Sequence, residues 1–195
     1  MAAAKPDRRT ALLDATLRLI GEGGLEAVTH RAVEAAAGLP HGSTTYYFKT
    51  RQQLVDAAVQ RLSDRDHAVV DAMGHGIAMA LARGDGLDFD ALAAQITAWV
   101  RADRAHQLVR FELYLAAARR PQIAETMRAA RQTFLRMMEP VAVAAGSDDP
   151  EADARTLVAL LDGLVLHQIT VTPEGHEPTI RPRDVKRIIG SLAIR

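Results

Sequence analysis

The eight residues HGSTTYYF, at positions 41–48, crowd a histidine, a glycine, three hydroxyl side chains and three aromatic rings into a chain whose aromatic content is only 4%. Short hydroxyls and phenolic tips make hydrogen bonds at close range, because nothing bulky keeps a partner away. The chemistry that suits them is recognition of a polar, phosphate-bearing surface. A helix entering a groove about 12 Å wide needs small side chains on its first turn, where base edges and phosphates come nearest. Gly42, Ser43, Thr44 and Thr45 supply them, and the free N–H groups of such a turn attract phosphate oxygens. Tyr46 and Tyr47 add phenolic donors at a radius that reaches a nucleic-acid backbone, and His41 is placed to touch a base or a phosphate. Lys49 and Arg51 bring positive charge to the same surface, where phosphate contacts fix register without reading sequence.

An ordinary packed turn would use some of the same residues. Phe48, ending the short helix, is expected in the core with Leu17, Val33 and Leu54. Adjacent helical positions point about 100° apart, so Tyr46 and Tyr47 cannot both face one core. Helix capping accounts for Ser43, Thr44 and Thr45 without any nucleic acid, and it is compatible with phosphate contact.

The elements that must position this segment are helical: Ala, Leu, Arg, Glu and Gln fill the periodic stretches, and nothing alternates as a strand. A first helix is expected from about Asp7 to Gly21, with Leu13, Leu17 and Ile20 on one face and GEGG ending it. Thr29 N-caps HRAVEAAA, which stops at Gly38; LP makes the turn; and Gly42 to Phe48 forms a second short helix. Helix, tight glycine turn, helix is the helix-turn-helix plan. A fourth helix begins near Thr50 and runs toward Gly74 or beyond. After the RGDGLDFD break, further helices are expected at 90–103, 104–119, 121–145, 150–170 and 183–194, with TVTPEGHEPTIRP as a loop. Pro121 and Pro150 fall in first helical turns, where proline is tolerated.

Composition sets the outer limits. The 195 residues are 48% apolar, enough for a real core. Without cysteine, the chain has no disulfides, zinc-thiolate sites or thiol nucleophiles. The N-terminus lacks the apolar run of a signal peptide, since Asp14 and Arg18 interrupt it. The longest apolar stretch, LVALLDGLVL, has ten residues with Asp162 inside, against the roughly 20 that cross a bilayer. A cytoplasmic protein with no membrane contact is the expectation. Net charge is zero, yet residues 1–61 carry a surplus of two positive charges.

The segment VTHRAVEAAAGLPHGSTTYYFKTRQQLV, with the preceding LLDATLRLIGEGGLEA, resembles the N-terminal domain of TetR-family transcriptional regulators over about the first 55 residues without a gap. The resemblance implies an all-α dimer: an N-terminal three-helix helix-turn-helix DNA-binding domain, residues 1–50, followed by a larger helical effector-binding and dimerisation domain, residues 51–195. It implies DNA contact by Thr29, Arg31, His41, Gly42, Ser43, Thr44, Thr45, Tyr46, Tyr47, Lys49 and Arg51. The family usually has tyrosine where Thr45 stands and lysine where Arg51 stands, which moves a backbone-contacting role to Tyr46 or Tyr47. Glu34 replaces a common alanine and puts a carboxylate near the turn, with no contact assigned to it.

In such a regulator the long fourth helix carries a change from an effector pocket to the DNA heads, and the last two helices form the homodimer interface. Leu157, Leu160, Leu161 and Leu164 make one apolar stripe, and Val185, Ile188, Ile189 and Leu192 another; burial within one subunit is the alternative. Gly163 and Gly190 would allow close helix approach. Candidate ligand-binding residues are Trp99, Phe111, Tyr114, Phe134, Met137, Met138 and His167, since effector pockets are apolar with a few polar groups. Plain core is the competing account of each, and an interface or core histidine that of His167. His67, Asp71 and His75 share one helix face at the spacing of a chelate, although a solvated charged face is commoner and no metal or cofactor is expected.

These features lead to a ligand-responsive repressor, released from a palindromic double-stranded DNA operator by a small, largely apolar effector. An all-α enzyme is the rival. It would need paired Glu-x-x-His motifs, a phosphate loop or a nucleophile elbow, and the chain has none. A non-DNA adaptor that kept the helix-turn-helix shape is the third reading.

Overall fold

The structure, a computed structural model, describes residues 7–171 and 180–191. Among the described residues there are nine α-helices and no strand: α1 (Arg8–Gly23), α2 (His30–Ala37), α3 (Ser43–Tyr47), α4 (Arg51–Arg83), α5 (Phe89–Ala102), α6 (Arg104–Ala117), α7 (Pro121–Ala144), α8 (Pro150–Thr170) and α9 (Pro182–Gly190). The all-α expectation holds.

Local signals set most boundaries. Asp7 caps α1, its carboxylate accepting from the Thr10 N–H at 2.9 Å, and Gly24 closes that helix at φ 68°. A single 3₁₀ turn, Leu25–Ala27, follows; the sequence carries no distinct signal for it. Asp149 caps α8 through the Ala152 N–H, with Pro150 in the first turn. The α4 helix runs on through Gly74 and Gly76, each costing about 1 kcal/mol relative to alanine. Val70 and Ile77 are buried on either side of those glycines, and their packing holds the helix together. The first turn of α9 begins at Pro182, and its expected extension past 191 and most of the TVTPEGHEPTIRP loop lie outside the described residues.

Packing divides the chain into two compact units. The first holds the chain up to Arg65 together with Leu108–Arg128; the second holds Asp66–Gln107 together with the chain from Ala129 onward. In the first, Leu12, Leu13, Leu17 and Ile20 of α1 share one core with Val33, Phe48, Leu54, Leu62, Leu113 and Ile123. Full burial of such side chains stabilises by about 1.5–3 kcal/mol each. Phe48 lies where expected, with Leu17, Val33 and Leu54. Asp14 on α1 binds Arg61 and Arg65 on α4, tying those helices together through one carboxylate.

In the second unit α5 and α8 both lie against α9. Leu92, Ile96 and Val100 of α5, Leu157, Val165 and Ile169 of α8, and Val185 and Ile189 of α9 are buried. Leu157, Val185 and Ile189 are therefore core of their own chain. Leu160 and Leu166 of α8 are exposed, and Leu161, Leu164 and Ile188 are half-buried. No helix among the described residues is long and apolar enough to cross a membrane.

Candidate nucleic-acid interface

At five residues α3 is too short to hold itself, since nucleating a helix costs more than one turn of bonds returns. Its neighbours hold it. Thr29 caps α2 by accepting from the Ala32 N–H at 3.1 Å, and Gly38, at φ 64°, ends that helix in the left-handed conformation. The chain then reaches Gly42, whose φ of 87° demands glycine although a Cβ there would meet nothing within 4 Å.

The first-turn groups of α3 are occupied from within. Both the amide and the hydroxyl of Ser43 donate to the Pro40 carbonyl, at 3.1 and 2.6 Å. The Thr44 N–H donates to Glu34 Oε1 at 2.9 Å, and Glu34 Oε2 lies 3.1 Å from His41 Nδ1. Free amides at Ser43 and Thr44 are thus absent, which corrects the expectation that they attract phosphate: an anion already sits there, supplied by α2. Burial pushes the Glu34 carboxyl upward, but the Thr44 N–H and the His41 ring outweigh it and hold the group below the ordinary glutamate range. Glu34, a carboxylate near the turn with no partner evident in the sequence, thus holds the first turn of α3. The signal for it was a carboxylate beside Val33 on the face that α2 turns inward.

Thr44 is fully buried, its hydroxyl donating to the His30 carbonyl at 3.4 Å, so it packs α3 onto α2 and offers no surface. The Thr45 hydroxyl lies 3.4 Å from His30 Nδ1, and Lys49 Nζ caps the far end of α3 by donating to the Thr45 carbonyl at 3.2 Å. Both tyrosines are exposed, Tyr46 at 75% and Tyr47 at 38%, with their rings edge to face at 4.8 Å. Thr29, Arg31, His41, Gly42, Thr45 and Lys49 are exposed as well, and Ser43 is half-buried. Arg51 turns away: its Nε donates to the Val28 carbonyl at 2.7 Å and its Nη2 to the Leu25 carbonyl, closing the 3₁₀ turn. Arg9, which the motif did not single out, sets its guanidinium 5.5 Å from the centre of the Phe48 ring.

The candidate effector residues separate into two groups. Trp99 and Phe134 pack ring to ring at 5.7 Å in the second unit, where Met137 and Met138 are also buried. Phe111 and Tyr114 belong to the first unit, edge to face at 5.7 Å, with the Arg110 guanidinium over both rings. His167 is exposed on α8. A groove of about 170 Å³ lined by Met73, Ile77, Ala80, Leu87, Leu92 and other residues of α4 and α5 includes none of these candidates. The His67 ring meets the Thr133 hydroxyl at 2.8 Å, and no group of three His, Asp or Glu among the described residues is arranged to hold a metal ion.

Comparison with known proteins agrees with this geometry. Residues 12–58 match the family described as bacterial regulatory proteins, tetR family, and residues 83–192 match the tetracyclin repressor-like C-terminal domain. The chain is 29% identical to the HTH-type transcriptional regulator BetI of Rhizobium meliloti (strain 1021) over 174 residues, 84% of this chain and 79% of that protein. A TetR-family structure from Streptomyces coelicolor A3 shares 31% identity at a TM-score of 0.69, covering 96% of this chain and 98% of that one. The multidrug binding protein EbrR, solved with malachite green, also shares 31% identity, at a TM-score of 0.71 over 96% and 98% of the two chains. BetI is a transcriptional regulator, and the matched family consists of regulators, not enzymes. Two successive matches that together take in most of the sequence, on a helix-turn-helix built as described above, establish that this chain belongs to the TetR family of transcriptional regulators.

Proposed function

We propose that this regulator is a ligand-responsive repressor that works as a homodimer, with residues 1–50 reading DNA and residues 51–195 carrying effector binding and dimerisation. The observation that carries the reading is the exposed surface of His41, Gly42, Thr45, Tyr46, Tyr47 and Lys49, gathered on and beside one short helix whose own stability comes from behind it. That surface enters a major groove, Tyr46 and Tyr47 clamp the phosphate backbone, and Thr29, Arg31 and Lys49 add contacts that fix register. Ser43, partly exposed, approaches the bases, whereas Thr44 and Arg51 act by holding the helix in place.

Two copies meet through α8 and α9, on the face where Leu160, Gly163, Leu166 and His167 are exposed. The effector is a small aromatic molecule resting against Trp99, Phe134 and Met138, by likeness to EbrR, which has been solved with ethidium and with malachite green. Its binding shifts the population toward a spacing of the two heads that no longer fits the operator.

Selection of bound duplexes from a random pool tests the DNA reading. A palindromic motif is expected, with affinity falling steeply as salt rises; recovery of no motif overturns the proposal. Because Trp99 is the sole tryptophan, quenching of its fluorescence by ethidium, together with release of the selected operator, tests the effector.

A further inference from the structure

His41 is the most exposed polar ring beside α3, with 86% of its side chain in solvent, yet one of its nitrogens is held by a buried group. Glu34, 4% exposed, is a charged side chain in the interior of a small domain, where such groups are retained only when paired. Both of its oxygens are engaged: Oε1 by the Thr44 N–H at 2.9 Å and Oε2 by His41 Nδ1 at 3.1 Å. One carboxylate therefore joins the backbone of the recognition helix to the ring at its entrance.

The chemistry of that contact decides what His41 shows to the outside. An ionised carboxylate accepts hydrogen bonds and cannot donate, so the bonded Nδ1 must carry the proton. In the neutral imidazole the other nitrogen, Nε2, is then an acceptor. In the major groove the matching donors are the amino groups of adenine and cytosine; guanine, at O6 and N7, and thymine, at O4, offer only acceptors. The tautomer selected by Glu34 is thus a choice between bases.

We propose that Glu34 and His41 form a specificity-determining pair, in which Glu34 is the positioning residue that fixes the His41 tautomer and His41 Nε2 accepts from an adenine or cytosine amino group in each half-site. The titratable and charged groups on the surrounding elements are His30, Arg31 and Glu34 on α2, Arg18 on α1, which donates to the Ala36 carbonyl, and Lys49 after α3. Among the described residues only Glu34 is bonded to the His41 ring. The pair rests on the reading that the α3 surface faces the major groove.

The test is selection from a random duplex pool by the full-length protein and its His41→Ala, Glu34→Gln and Tyr46→Ala variants at pH 7.5. For the wild type one base pair per half-site should favour adenine or cytosine on the contacted strand, and His41→Ala should flatten that position alone, by about fivefold or more. Glu34→Gln is the discriminating variant. Its amide oxygen keeps the Thr44 N–H while its NH₂ donates to His41 Nδ1, which moves the ring proton to Nε2 and turns the preference away from cytosine and toward guanine or thymine. A merely structural Glu34 would lower affinity evenly over all sequences, and that result overturns the proposal. If His41→Ala changes no base position while Tyr46→Ala weakens binding, the pair falls and the α3 surface stands. If neither variant changes binding to the selected DNA, both fall.

Discussion

Polar side chains hold the shortest elements of the first unit, where they also tie α1 to α4, and link long helices in the second. In the first, the Glu34 carboxylate and the Arg51 guanidinium bond backbone atoms of the shortest elements, the five-residue α3 and the 3₁₀ turn at Leu25–Ala27. In the second, polar side chains link long helices to one another: Asp66 of α4 meets His106 of α6 at 2.6 Å, and Arg131 of α7 meets Asp162 of α8 at 3.0 Å. Helices of 14 to 33 residues with an apolar face to pack need no such help to form. A one-turn helix does. The lesson is that an element too short to hold itself is stabilised by side chains from elsewhere, so residues behind α3 govern how its exposed surface is presented.

Substitutions can break or sharpen this contrast. The largest effect is expected at the exposed leucines of α8. Leu160→Arg should convert the proposed dimer to a monomer by light scattering with helix content unchanged, because a charge buried at an interface without a partner costs about 3–5 kcal/mol. A dimer that persists would remove α8 from the interface. Next comes the core of the first unit: Ile20→Ala, at a fully buried site, should lower stability by about 2–5 kcal/mol in denaturant unfolding.

Arg51 and Lys49 then separate an internal cation from a presented one. Arg51→Ala removes two bonds to carbonyls and should cost about 1–3 kcal/mol of stability while leaving the salt dependence of DNA binding unchanged. Lys49→Ala should do the reverse, weakening binding evenly across sequences and reducing the salt slope by about one, with little loss of stability. If Arg51→Ala also flattens the salt slope, its guanidinium faces the phosphates after all.

The smallest effect is pH dependence. Glu34 has a folded pKa below its unfolded one, so its stabilisation is fully present above the ordinary glutamate range and fades as pH falls through the lowered value. Asp184, lowered by its hydrogen bond from Arg181, acts in the same direction at the start of α9. Acid titration of the thermal midpoint should therefore show a loss below about pH 4.5 that Glu34→Gln reduces. An identical acid profile for that variant would mean the buried carboxylate contributes nothing to the folded head.

Much of the fold was legible because its signals are local. Thr29 before HRAVEAAA, Gly38 after it, and Asp149 with Pro150 mark helix ends over three or four residues, and the observed bounds of α2 and α8 follow them. The site was legible as a composition of small hydroxyls and aromatics, but not in orientation. Thr44 and Thr45 are neighbours of one type, and packing buried the first and exposed the second. Arg51 looked like a phosphate ligand until the carbonyls of Val28 and Leu25, more than 20 residues earlier, were brought within its reach. The larger unit was less legible: Leu157 and Leu160 belong to one apolar stripe in sequence, and only packing against neighbouring helices buried one and left the other exposed.

Caps, glycine turns and 3.6-residue periodicity, which act over a few bonds along the chain, are enough to specify an all-α protein with a helix-turn-helix at positions 29–48. What faces inward and what faces out was decided by contacts between residues far apart in sequence. Glu34 became the anchor of α3, and not merely a charge near a turn, because the fold places the Thr44 amide and the His41 ring on its two oxygens. A carboxylate has no preferred partner until geometry supplies one, and a buried carboxylate must have one.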